Sequence, residues 1–174
     1  MPRFSIGDRV QLIGDIARFY ICIVGVVIED GTYPASVLNQ YKVRLADGTV
    51  AVFFDFQLQT PPAFRAHVIF DSAVAKKNTG TRGAPTGRHV QLAARDIELH
   101  LKITGSVKKS IVGQVTAGTN PMRKALVSLL VDDQPVDSKT TDDAGEFELH
   151  DVQPGDATIE VLVPGRRIIA TLTI

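Results

Sequence analysis

The chain has no tryptophan, one cysteine and a 6% aromatic content in 174 residues. A single cysteine, Cys22, excludes an internal disulfide, so the fold has to be held by its apolar core alone, which suits a reducing compartment. Charge of one sign is missing too. The 19 basic and 19 acidic side chains cancel, so no global field attracts nucleic acid or anionic lipid, and any such binding must come from a local patch. Nor is there a long hydrophobic run: the most apolar stretch, Phe19 to Ile28, is half of the roughly twenty residues that a membrane-spanning helix needs. Asp8 and Asp15 interrupt the N-terminal segment where a secretion signal needs an uncharged centre. These absences lead to the expectation of a soluble, cytoplasmic protein with no membrane partner.

Helical periodicity is also absent, and strand signals take its place. Short runs such as DRVQLI, ICIVGVVIE, RHVQLAA, DIELHLKI, SIVGQVTA, EFELHDV and RIIATLTI recur at the spacing of sandwiches and barrels. In QYKVRLADGTVAVFF, two alternating runs flank Asp47-Gly48, a hairpin signal whose tightest form needs positive φ at both central residues. Two stretches break the pattern. Pro61-Pro62 in QTPPAF ends a sheet and marks a domain boundary. Residues 75–88, AKKNTGTRGAPTGR, form a loop carrying Lys76, Lys77, Arg82 and Arg88 and no acid. The expected organisation is a small β-barrel over 1–60, a β-sandwich over 110–174, and between them a connecting β segment over 61–109 packed on the sandwich.

In the last part, the positions Ile111, Gly113 and Val115, then Ala125, Val127 and Leu129, then Thr141, Asp142, Gly145, Phe147 and Leu149, then Val152, Pro154, Gly155, Ile159 and Val161 form a pattern. It resembles the carboxypeptidase regulatory-like domain, a transthyretin-like sandwich that is noncatalytic by itself. Ala157 departs from that pattern, where the family usually places an aromatic ring. The segments FSIGDRVQLIG, GVVIEDG and YKVRLADGTVAVFFDFQL resemble small Src-homology-3-like barrels of KOW-type domains and nitrile hydratase β-subunits. The resemblances imply an all-β fold, a Src-homology-3-like barrel followed by a transthyretin-like sandwich. The stretch from His67 to Ile103 is similar to segments preceding such sandwiches in small bacterial proteins, some encoded beside sigma factors and caspase-like peptidases. That likeness implies a regulatory binding role and no reaction.

Among candidate sites, TTDDAGEFELHDVQPGD packs six carboxylates into residues 140–156 but lacks the ligand alternation of a calcium loop. It reads as a turn with a solvated face in which Asp142 caps its own turn. The four histidines, His67, His89, His100 and His150, show no zinc spacing. Cys22 sits among Ile21, Ile23 and Val24, the setting of an inert thiol. No cofactor, metal or catalytic group is expected. The more informative patch is AVFFDFQL: Phe53 and Phe54 point to opposite faces, so outward rings either cover the second domain or meet a partner. Partner binding is expected at Phe54, Phe56, Lys76, Lys77, Arg82 and Arg88. The function expected is a noncatalytic protein-binding adaptor or regulatory subunit, its partner a sigma factor or a peptidase. The alternatives are a nucleic-acid-associated factor using the barrel and the basic loop, and a surface or carbohydrate-associated module.

Overall fold

The computed structural model, which describes residues 2–31, 38–75 and 87–174, folds the strand-forming runs into three mostly antiparallel sheets. The protein is all-β; its helical elements among the described residues are two short 3-10 turns and the four-residue Ser72–Ala75.

The first sheet takes the strands β1 (Arg9–Leu12), β2 (Val24–Gly31), β3 (Gln40–Leu45), β4 (Val50–Phe54) and β5 (Leu58–Gln59) in the order β4-β3-β2-β1-β5. Strict alternation on β3 sends Tyr41, Val43 and Leu45 inward, where they meet Val10, Leu12, Val27, Phe53 and Leu58. Rings fix the corners of this core. Phe4 stands edge-on to Tyr41 at 5.2 Å, Tyr20 edge-on to Phe53 at 5.2 Å, and the Tyr41 hydroxyl accepts the Arg3 and Phe4 N–H groups. The β3–β4 hairpin differs from the expected two-residue turn. Only Gly48 has positive φ, +87°, and the chain closes through Gly48 N–H to Leu45 O and Leu45 N–H to Thr49 O. Asp47 instead spends its carboxylate on the Thr49 N–H at 3.0 Å, so it shapes the turn without entering the left-handed region.

After Pro61-Pro62 the chain leaves this sheet. Next come β6 (Ala63–Arg65) and β7 (His67–Asp71), then β8 (Arg88–Ala94), β9 (Ile97–Thr104), β10 (Lys109–Ala117), β11 (Asn120–Pro121), β12 (Leu126–Val131), β13 (Gln134–Thr140), β14 (Glu146–Val152), β15 (Asp156–Val163) and β16 (Arg166–Thr173). The second sheet runs β7-β8-β9-β10, with β14 and the short β11 both on the far side of β10. The third runs β13-β12-β15-β16-β6, the last pair parallel. Residues 61–109 therefore supply an edge strand to one sheet and three strands to the other.

The second and third sheets share one apolar core. Leu92, Leu99, Leu101, Ile111, Phe147 and Leu149 from one face Val127, Leu129, Ile159, Val161, Ile168 and Ala170 from the other. Gly113 shows how closely the layers fit: a Cβ there would lie 2.3 Å from the Phe147 ring, so the absent side chain is the space that ring fills.

The outward side of β15 is covered as well. From Ile159 to Val163 all five residues are buried, because Leu162 belongs to the core of the first sheet, with Leu126 packed beside it. The first sheet thus sits on the third.

Candidate functional site

Strand β4 ends the first sheet, and among the described residues no strand pairs with its outer edge. Its register with β3 places Val50 opposite Arg44, Val52 opposite Lys42 and Phe54 opposite Gln40 on the outward face. Phe53, one residue out of phase, is buried at 1% exposure. The chain then turns through Asp55–Gln57, held by Phe54 N–H to Gln57 Oε1 at 2.8 Å and Asp55 N–H to Asn39 O at 3.0 Å. That turn brings Phe56 back onto Phe54 in a parallel stack, with ring centroids 5.7 Å apart and planes within 5°. Val50, Val52 and Phe56 are 46%, 55% and 61% exposed. The result is an apolar stripe of three side chains from the edge strand and Phe56 from the turn after it, bordered by Arg44 and by Lys42, whose ammonium pairs with Glu29 at 2.9 Å.

The two outward rings expected at Phe54 and Phe56 are therefore brought together, and the contact between first and third sheets is made elsewhere. Arg9 Nε donates to Glu160 Oε2 at 2.6 Å, with side-chain exposures of 9% and 5%. Arg167 Nε lies 2.5 Å from the other Glu160 oxygen, in a contact with ion-pair rather than hydrogen-bond alignment. Gln11 Oε1 accepts the Gly165 N–H at 2.7 Å, and Thr140 Oγ1 donates to Ala46 O. Sequence reasoning missed this junction. The signal was present in IEVLV, where alternation fails as it does for strands covered on both faces.

Of the four basic loop residues, Lys76, Lys77 and Arg82 lie outside the described residues. Arg88 opens β8 and is held by Asp71, through Nε to Oδ1 at 3.0 Å and Nη2 to Oδ2 at 2.6 Å, while Nη1 donates to Thr173 O. This fork ties β7 and β8 together and commits the guanidinium within the fold. The hydrogen bond from Arg88, more than any other influence, lowers the Asp71 pKa.

The acidic turn is built as a turn. Asp142 Oδ1 accepts the Ala144 and Glu146 N–H groups at 2.9 and 2.8 Å, and Gly145 takes a φ of +74°. Buried Thr141 donates to Met122 O and accepts the Ala125 N–H, anchoring the turn to the segment that leads into β12. Among the described residues no group of three or more His, Cys, Asp or Glu side chains converges as a metal site would. Cys22 is buried, and that burial first, then the Asp47 carboxylate, pushes its thiol above the ordinary value, away from the reactive thiolate. No described helix is long and apolar enough to cross a membrane.

Comparison with protein-family models, with curated proteins and with solved structures finds no match to this chain. The functional reading therefore rests on the geometry of the chain itself.

Proposed function

We propose that this protein is a noncatalytic binding module that recognises another protein through the outer face of its first sheet. The observation that carries this reading is the apolar stripe of Val50, Val52 and Phe54 on the edge strand β4, extended by Phe56 from the turn that follows. An edge strand offers a row of backbone donors and acceptors, and natural sheets ordinarily guard such edges with charge or proline. Here the outward positions of the edge are apolar, the combination by which sheets accept an added strand from a partner. The stacked Phe54–Phe56 pair supplies a rigid aromatic anchor, the kind of group on which interface energy concentrates. In this reading the first part is a Src-homology-3-like barrel and the remainder a sandwich of the carboxypeptidase regulatory-like kind, acting as adaptor or regulatory subunit in the cytoplasm. A sigma factor or a peptidase is the partner class that the sequence resemblance supports.

The test is affinity capture with the wild-type chain and with the Phe54→Ala/Phe56→Ala double variant. A stoichiometric protein partner retained by the first and lost by the second, with unchanged thermal unfolding, is expected. Retention of that partner by both would overturn the reading. Steeply salt-dependent binding to RNA, lost on neutralising Lys76, Lys77 and Arg82, would replace it with the nucleic-acid alternative.

A further inference from the structure

Two opposite charges without a partner among the described residues stand in the wall of one cavity. The outward face of the second sheet carries a row of residues, Phe70, Gln91, His100, Gln114 and Glu146, one from each of β7, β8, β9, β10 and β14. The adjacent row places Lys102 beside Val112. Between the rows lies a cavity of about 430 Å³, lined in part by Phe70 and Val112, which are 43% and 42% exposed. That volume falls in the range of small-ligand sites, about 300–1,000 Å³.

Other carboxylates of this face lie beside imidazoles, Glu98 3.3 Å from His100 and Glu148 3.6 Å from His150. Lys102 and Glu146 also line the cavity, yet neither side chain has an ion pair or hydrogen bond with any described residue. Gln91 is engaged with His100 Nδ1 at 2.8 Å and Gln114 donates to Ala144 O at 2.9 Å, so the floor between the charges is fixed.

We propose that this cavity binds a short zwitterionic peptide, with its carboxylate at Lys102, its ammonium at Glu146 and an apolar side chain between Phe70 and Val112. A ligand of one sign would meet one favourable and one unfavourable charge, whereas a zwitterion satisfies both. The span sets the length. Lys102 and Glu146 are two strand spacings apart, about 10 Å, and offset by two residues, about 7 Å, so their backbones are roughly 12 Å apart. The Lys102 side chain leans towards Gly87, its Cε 3.7 Å from the Cβ position there, so the gap is not shortened from that end; about three extended residues, roughly 10 Å, with a hydrogen bond of about 3 Å at each end, span it. The site lies on the second sheet, and its test is independent of the β4 stripe.

The experiment is NMR titration of the whole chain with the tripeptide Ala-Leu-Ala, free, N-acetylated, C-amidated and doubly blocked. Saturable shifts confined to Gln91, residues 100–102, residues 112–114 and Glu146 are expected. Blocking either end should weaken binding about five- to tenfold. Lys102→Met should abolish the discrimination against the amide while keeping that against the acetyl group, and Glu146→Gln should do the converse. Both residues are exposed, so neither variant threatens folding. Equal affinity for the free and doubly blocked peptides, or no saturable shift at millimolar peptide, overturns the proposal.

Discussion

Strands β15 and β4 both turn a face away from their own cores, Glu160 and Leu162 on β15 and Val50, Val52 and Phe54 on β4, and the two faces have opposite fates. On β15, Glu160 and Leu162 are 4% and 1% exposed, because the first sheet lies over them. On β4, Val52 is 55% exposed, and stacked Phe54 and Phe56 lie beyond it. The charges divide in the same way. Glu160 meets two guanidiniums out of water, whereas the Lys42–Glu29 pair beside the β4 stripe keeps side-chain exposures of 44% and 60%. One face is an interface already closed within the chain. The other is apolar, flanked by an exposed ion pair on the neighbouring strand, and is open.

The sharpest way to break this comparison is to remove one partner from each pair. Arg9→Ala leaves Glu160 buried with Arg167 alone, and loss of a partner from a buried pair costs about 3–5 kcal/mol. Lys42→Ala touches an exposed pair and should cost about 1 kcal/mol or less. Urea unfolding of both variants measures the contrast. Equal losses would mean that the junction is wetter than its exposures indicate.

The next effect lies inside the shared core. Gly113→Ala forces a Cβ against the Phe147 ring, and overpacking of this kind costs about 1–3 kcal/mol. The double variant Gly113→Ala/Phe147→Leu should recover part of that loss if the ring is what the glycine accommodates. This core is also where the sequence was most legible. Alternation in EFELHDV sets Phe147 and Leu149 against Glu146 and Glu148, and both apolar residues are buried. The turn chemistry of Asp142 could be read for the same reason: an aspartate accepting N–H groups from residues just downstream is a local event. The junction was not legible, since Arg9 and Glu160 are separated by 151 positions and alternation reports which face a residue takes, not what comes to lie on it. The same limit applied to Arg88, whose charge suggested a ligand contact but whose fork closes on Asp71.

That fork gives a smaller and pH-dependent effect. The Asp71 carboxyl is depressed, chiefly by its hydrogen bond from Arg88, so it binds its proton more weakly in the folded chain than in the unfolded one. Its contribution is therefore complete above the ordinary aspartate range and is lost as pH falls through and below it. Asp71→Asn should cost about 1 kcal/mol at neutral pH and converge with the wild type in acid. Unfolding midpoints measured between neutral and strongly acidic pH test the sign, and a gap that widens in acid would refute it.

The smallest expected change in stability falls on the open face. In Val52→Thr/Phe56→Ser the altered side chains are mostly solvated already, so the unfolding free energy should move by about 0.5 kcal/mol or less. The fluorescence of an apolar dye bound to the folded protein should drop, because the contiguous apolar surface is interrupted. Stability loss approaching that of Arg9→Ala would show that these side chains are covered within the folded chain, and the contrast between β4 and β15 would then disappear. Unchanged stability together with weakened partner capture places the energy of this face in recognition rather than in folding, as an interface left open by the fold requires.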